Sequence, residues 1–221
     1  MTNLKSIIFN QYKIISLLTA SMFLSIFLLM IRMKLTHSFT YIFLVWNLFL
    51  AIIPFAITTI LKSQTQVSKL TLGGWFVMWI LFLPNAPYII TDLLHLNNIE
   101  GSMLWLDVLL ITSFAYNGLI LFFLSIIDMQ KLILKHFSKT TTNYIINLIF
   151  LLTGFGIYLG RFLRYNSWDI IQEPLTLLAD VSTMIFQPHQ HLNVLLFTFS
   201  FSSFLALSFW MFKAFQKNES R

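Results

Sequence analysis

Four side chains able to bind, polarise or move a proton crowd into eleven residues of this chain. They are Asn85, Tyr88, Asp92 and His95, in the stretch Leu83-Pro84-Asn85-Ala86-Pro87-Tyr88-Ile89-Ile90-Thr91-Asp92-Leu93-Leu94-His95. An aspartate and a histidine three residues apart can share a proton. An asparagine and a tyrosine can orient a bound group by hydrogen bonds. If a helix resumes after Pro87, spacings of four and three put Tyr88, Asp92 and His95 on one face. A second group follows at Arg161, Arg164, Asn166 and Asp169, with Asp107 between the two in sequence. Two arginines one turn apart suit a two-pronged grip on a carboxylate or phosphate. Each group also has a structural reading: Asn85 as a helix cap with Asp92 and His95 wet, and the arginines as partners of Asp92, Asp107 or Asp169.

The elements that carry these residues are apolar. Of 221 residues, 57% are hydrophobic and 10% are charged, against about 25% charged in soluble domains. So few charges cannot cover a water-facing surface, and lipid must be the main solvent. Apolar runs near 14–31, 41–61, 70–90, 108–127, 144–163 and 192–212, uncharged except for Arg161 at the end of the fifth, approach the roughly 20 residues that cross a bilayer. The fold class expected is therefore an all-α integral membrane protein, a single transmembrane domain 1–221 built as a bundle of about six helices. Arg32 and Lys34 directly after the first run mark it as a retained helix, not a signal peptide. Pro84 and Pro87 predict a broken third helix; in the second run Asn47 predicts a polar contact and Pro54 a kink. Between Pro174 and Phe186, Glu173, Thr176, Asp180 and Thr183 form a polar stripe opposite Leu175, Leu178, Val181 and Ile185. That rhythm predicts a short amphipathic helix on the outer surface. Gly156 and Gly160 form a GxxxG pair that lets a neighbouring helix come close.

Charge distribution orients the bundle. Ten of the fourteen Lys and Arg lie at the termini and in the second and fourth connections. The excess of basic residues on cytoplasmic loops then places both termini in the cytoplasm of a cell membrane, with the polar stretches on the outer side. The net charge of +6 thus reflects topology and not nucleic-acid binding. With no cysteine, a disulfide framework, a thiolate metal site and a cysteine nucleophile are excluded. Asp92, His95, Asp107, His189 and His191 could be read as metal ligands, but their spacing matches no metal motif and nearby arginines oppose a cation. No metal is assigned and no cofactor is implied. Phosphate loops, zinc-protease, nucleophile-elbow and dinucleotide fingerprints are absent from the sequence.

The segments Leu83–Leu96 (LPNAPYIITDLLHL) and Tyr158–Asp169 (YLGRFLRYNSWD) resemble a bacterial membrane-protein family catalogued as domain of unknown function 1361. The resemblance covers most of the chain. It implies a multi-pass membrane protein, assigns no activity and carries over no catalytic residue. The residues themselves point to an outward-facing polar site for an anionic or lipid-linked substrate. In that reading Asp92 and His95 are the acid–base pair, while Asn85, Tyr88, Asp107, Arg161, Arg164, Asn166 and Asp169 contact the substrate. A small-solute transporter and a non-catalytic assembly partner are the alternatives, and enzyme status stays open. The bilayer itself is the partner that composition requires.

Topology is directly testable, because the chain has no native cysteine. A membrane-impermeant thiol reagent applied to intact cells is expected to label Gly101→Cys and to spare Ser138→Cys. The reverse pattern would turn the polar stretches to the cytoplasm.

Overall fold

A computed structural model describes residues 12–64, 66–98, 103–172, 174–187, 189 and 192–219. Glu100, Glu173 and His191 fall outside them. Every regular element among the described residues is helical, and six helices are long and apolar enough to cross a membrane. Packing divides the chain into two compact units, Met1–His136 and Phe137–Arg221.

In the first unit, α1 (Tyr12–Thr36), α2 (Phe43–Ser63) and α3 (Lys69–Phe82) lead to a short α4 (Asn85–Tyr88). A 3₁₀ helix (Ile89–Asn98) and the long α5 (Leu104–Leu134) complete the unit. Because α5 packs against α1, α2, α4 and the 3₁₀ helix, most of its length is buried. Leu44, Trp79, Leu83, Ile89, Phe114 and Phe122 are fully enclosed around it. Phe23, Phe27, Met30, Trp46 and Phe49 stay exposed on α1 and α2, where a spanning helix meets hydrocarbon.

The apolar run near 108–127 understates α5, which begins at Leu104 and ends at Leu134. Run-counting stops at charges, but both charges that bounded this run are paired inside the bundle: Asp107 with Arg32 and Asp128 with Lys62. Similarly, α3 and the helix at Lys139 start where a serine caps them. Ser68 Oγ accepts from Thr71 N–H at 3.1 Å, and Ser138 Oγ from Thr141 N–H at 3.2 Å. Each cap satisfies a backbone donor that the first helical turn leaves over.

Around Pro84 and Pro87 the winding changes. Regular α-helix ends at Phe82, yet the backbone stays right-handed through Pro84 (φ −59°, ψ −27°) and on to Ile89 (φ −56°, ψ −25°). Pro87 has no N–H for the Leu83 carbonyl, which accepts from Ala86 N–H at 3.2 Å instead. The freed Phe82 carbonyl accepts from Asn85 Nδ2 at 3.0 Å. The chain then tightens to three residues per turn. Gly118 of α5 faces this turn so closely that a β-carbon there would overlap the Ala86 carbonyl oxygen.

In the second unit, α6 (Lys139–Phe162) packs on α9 (Leu192–Glu219), with the short α7 (Asp169–Gln172) and α8 (Pro174–Phe186) between them. The close approach of α6 to α9 is made at Gly154, where a β-carbon would meet Ser202 Oγ and the Thr198 carbonyl. Ser202 Oγ–H donates to the Phe150 carbonyl at 2.9 Å, which locks the register of the pair. Phe150 against Phe209, and Tyr158 and Phe162 against Phe197, fill the rest of the contact.

Gly118→Ala is expected to lower the amount of folded protein and its melting temperature in detergent, by the roughly 1–3 kcal/mol typical of overpacking. Gly73→Ala and Gly74→Ala, where a β-carbon meets open space, are expected to be neutral or to stabilise by up to about 1 kcal/mol. Equal behaviour of the three variants would remove the close α4–α5 contact.

Candidate functional site

The 3₁₀ winding decides which residues can act together. At three residues per turn, positions three apart eclipse, so Asp92 and His95 stand on one face while Tyr88, four before Asp92, is rotated about 120° away. The expected common face of Tyr88, Asp92 and His95 is therefore corrected to Asp92 and His95. Asp92 is enclosed (1% exposed) and its Oδ2 accepts from Asn47 Nδ2–H of α2 at 2.9 Å. Its Oδ1 lies 3.9 Å from His95 Nε2, close enough for charge pairing and longer than a hydrogen bond. The His95 side chain is 43% exposed and its ring leans on Phe43 at 5.1 Å. A buried carboxylate thus stands behind a half-exposed imidazole. The arrangement is that of an acid–base couple: an imidazole open to solvent with a fixed carboxylate behind it.

Asp107 lies at the same end of the first unit. It is 1% exposed and bound to Arg32 of α1: Nε donates to Oδ1 at 2.9 Å and Nη2 to Oδ2 at 3.4 Å. Arg32 Nη1–H also donates to Thr36 Oγ1 at 2.7 Å, and its guanidinium sits 4.9 Å over the Tyr41 ring. Burial first, and the Asp107 carboxylate next, push the Tyr41 phenol up to about 12, while Arg32 opposes them. Tyr41 is therefore a neutral hydroxyl at any physiological pH. Tyr41 touches Phe43, which touches His95, so the ion pair and the Asp92–His95 pair belong to one continuous cluster.

The arginine group belongs to the second unit. The helix expected to carry Arg161 and Arg164 one turn apart on one face ends at Phe162. Arg161 is in its last turn, but Arg164 is exposed and left-handed at φ 62°. This corrects the shared-face expectation: a residue in that conformation cannot extend a right-handed helix. Holding a non-glycine residue there costs about 1–3 kcal/mol. The neighbours that enforce it are Tyr165 N–H bonded to the Leu159 carbonyl at 3.2 Å and Tyr165 Oη–H bonded to Asp180 at 2.7 Å. Asp169 Oδ2 accepts from Asn166 N–H at 2.6 Å and from Asn166 Nδ2–H at 3.2 Å, so these two side chains build the turn that opens α7. His189 is exposed in the connection before α9. Among the described residues, no three His, Asp or Glu side chains come together as metal ligands.

Two participants were not singled out by sequence reasoning as members of the site. Arg32 entered only as a charge after the first run, and Asn47 only as a polar contact. Each is a polar group at the edge of, or inside, an apolar run, and that is the signal by which both could have been found.

Six long apolar helices, with polar groups paired between them, define a multi-pass membrane protein. The family model described as "Protein of unknown function (DUF1361)" matches residues 46–219, and the chain belongs to that family. No curated protein and no solved structure matches it.

The Arg32–Asp107 pair is testable on its own. Arg32→Met or Asp107→Leu alone is expected to cost about 3–5 kcal/mol, because each leaves a buried charge uncompensated. The double variant is expected to recover most of that loss in membrane accumulation and in melting temperature. Additive losses would show that the two groups do not depend on each other.

Proposed function

We propose that this is a bacterial cell-membrane protein, both termini cytoplasmic, whose outward-facing polar site recognises and processes an anionic or lipid-linked substrate. The observation that carries this reading is the buried Asp92, fixed by Asn47 and set 3.9 Å from the half-exposed His95. In this reading His95 transfers the proton and Asp92 holds and stabilises its charged form. Arg161 and the exposed Arg164 bind the negative charge of the substrate. The strained backbone at Arg164 supports a constrained role for that residue. Alternate crossing of six spans would bring the ends of the third and fifth to the same side of the membrane, and the distribution of lysine and arginine favours the outside. Asp107, already neutralised by Arg32, serves the site by holding its frame. Asn85 and Tyr88 are the further polar contacts proposed for the substrate, and Asn166 and Asp169 shape the turn that follows Arg164.

Lipid and metabolite profiles of a deletion strain, restored or not by variants, test the proposal. His95→Gln, Asp92→Asn, Arg161→Lys and Arg164→Lys are expected to accumulate normally in the membrane and to leave the accumulated substrate unprocessed. An ion pair needs only charge, whereas an oxyanion grip needs the planar guanidinium. Restoration by both lysine variants, with loss of protein in the alanine variants, would return the arginines to a structural role. Restoration by His95→Gln would remove the acid–base step.

A further inference from the structure

We propose that α8 is an interfacial helix whose face bearing Leu175, Leu178, Ala179 and Phe186 docks on the acyl-chain boundary of the leaflet at the end of α6. The inference is independent of the substrate site proposed above. At 100° per residue, these four side chains and Ser182 fall within an arc of about 100°. Leu175 is 80% exposed, Leu178 63% and Phe186 82%. The other sides of the helix are accounted for. Met184 is buried and Leu177 and Val181 are partly covered, while Thr176, Thr183 and Gln187 are exposed and polar.

Position in the chain identifies what covers the apolar face. α8 connects two spanning helices, α6 and α9, so it lies at a membrane surface. Thirteen residues extend about 20 Å, too short to cross a hydrocarbon core of about 30 Å. The bond from Tyr165 Oη–H to Asp180 at 2.7 Å ties the helix back to the turn that ends α6, which keeps it at the height of the boundary. The flanking spans expose Phe162 (50%) and Leu192 (59%) at that same end. The apolar strip of α8 therefore continues the lipid-facing surface on either side of it. Pro174–Phe186 holds no lysine or arginine, so attraction to anionic headgroups contributes nothing and buried apolar area supplies the binding. A zwitterionic leaflet suffices.

The test uses the full chain, which has no native cysteine, in phosphatidylcholine vesicles. Nitroxide labels are placed one at a time at Leu175→Cys, Leu178→Cys, Ala179→Cys, Thr176→Cys and Thr183→Cys. Power saturation then reads collisions with oxygen, which concentrates in lipid, and with a water-soluble nickel chelate. Labels at 175, 178 and 179 are expected to lose relaxation by nickel and to gain it from oxygen; labels at 176 and 183 are expected to keep nickel access. Three positions share the apolar face, so failure of one variant to accumulate leaves two that report. Nickel access at all five positions would overturn the proposal in favour of a water-exposed linker. Shielding of 175, 178 and 179 from both reagents would overturn it in favour of a protein cover.

Discussion

Buried polar pairs along α5 are the constraint on which the first unit depends. Asp107 binds Arg32 of α1, Asn117 Nδ2–H donates to Ser25 Oγ of α1 at 3.0 Å, and Ser125 Oγ accepts from Trp79 Nε1–H of α3 at 2.7 Å. Asp128 binds Lys62 Nζ of α2 at 2.7 Å. At 100° per residue these four α5 positions fall within about 80° of one another, spread over about 32 Å of helix axis. Apolar contact alone sets no register in lipid, because hydrocarbon chains are as apolar as leucine. A charge or amide facing lipid is penalised, so each pair admits one rotation and one height for its helix. The two ion pairs at opposite ends of α5 hold its neighbours like pins.

The same constraint shapes the polar cluster at one end of that unit. With Arg32 and Asp107 locked together, the α1–α2 connection is drawn over them and Tyr41 is enclosed on the guanidinium. Asn47 on the first turns of α2 then faces the 3₁₀ helix and meets Asp92. The tightened winding in turn follows from two prolines that withhold hydrogen-bond donors, and from a glycine at position 118 that lets the turn sit against α5. Backbone chemistry at Pro84 and Pro87 thus decides the direction in which Asp92 points. The second unit uses a different device: Gly154 and Ser202 bring α6 and α9 to close contact, and aromatic rings fill what remains.

Much of the architecture was legible in the sequence because bilayer solvation acts on composition, and composition is visible without a structure. Six apolar runs marked six spanning helices, and the motif segments Leu83–Leu96 and Tyr158–Asp169 pointed to the family. Ser68 and Ser138 mark helix starts by local chemistry alone. Helix ends that depend on pairing could not be read in the same way. Nothing local in Asp107 or Asp128 says that each will find a cation from a helix dozens of residues away, so α5 extends beyond its uncharged run at both ends.

Which polar residues must be explained is evident from residue order alone, since an aspartate or arginine beside an apolar run is costly wherever it lies. Who satisfies whom emerges from helix packing: Arg32 and not Arg161 or Arg164 for Asp107, Asn47 for Asp92, Lys62 for Asp128. Partner choice is a property of helix rotation and register, which arise from all contacts together. Two local conformations carried the same lesson. The 3₁₀ turn separates Tyr88 from Asp92 and His95, and the left-handed Arg164 leaves the α6 face. An α-helical spacing rule cannot foresee either, because both follow from hydrogen bonds that neighbouring segments supply or withhold.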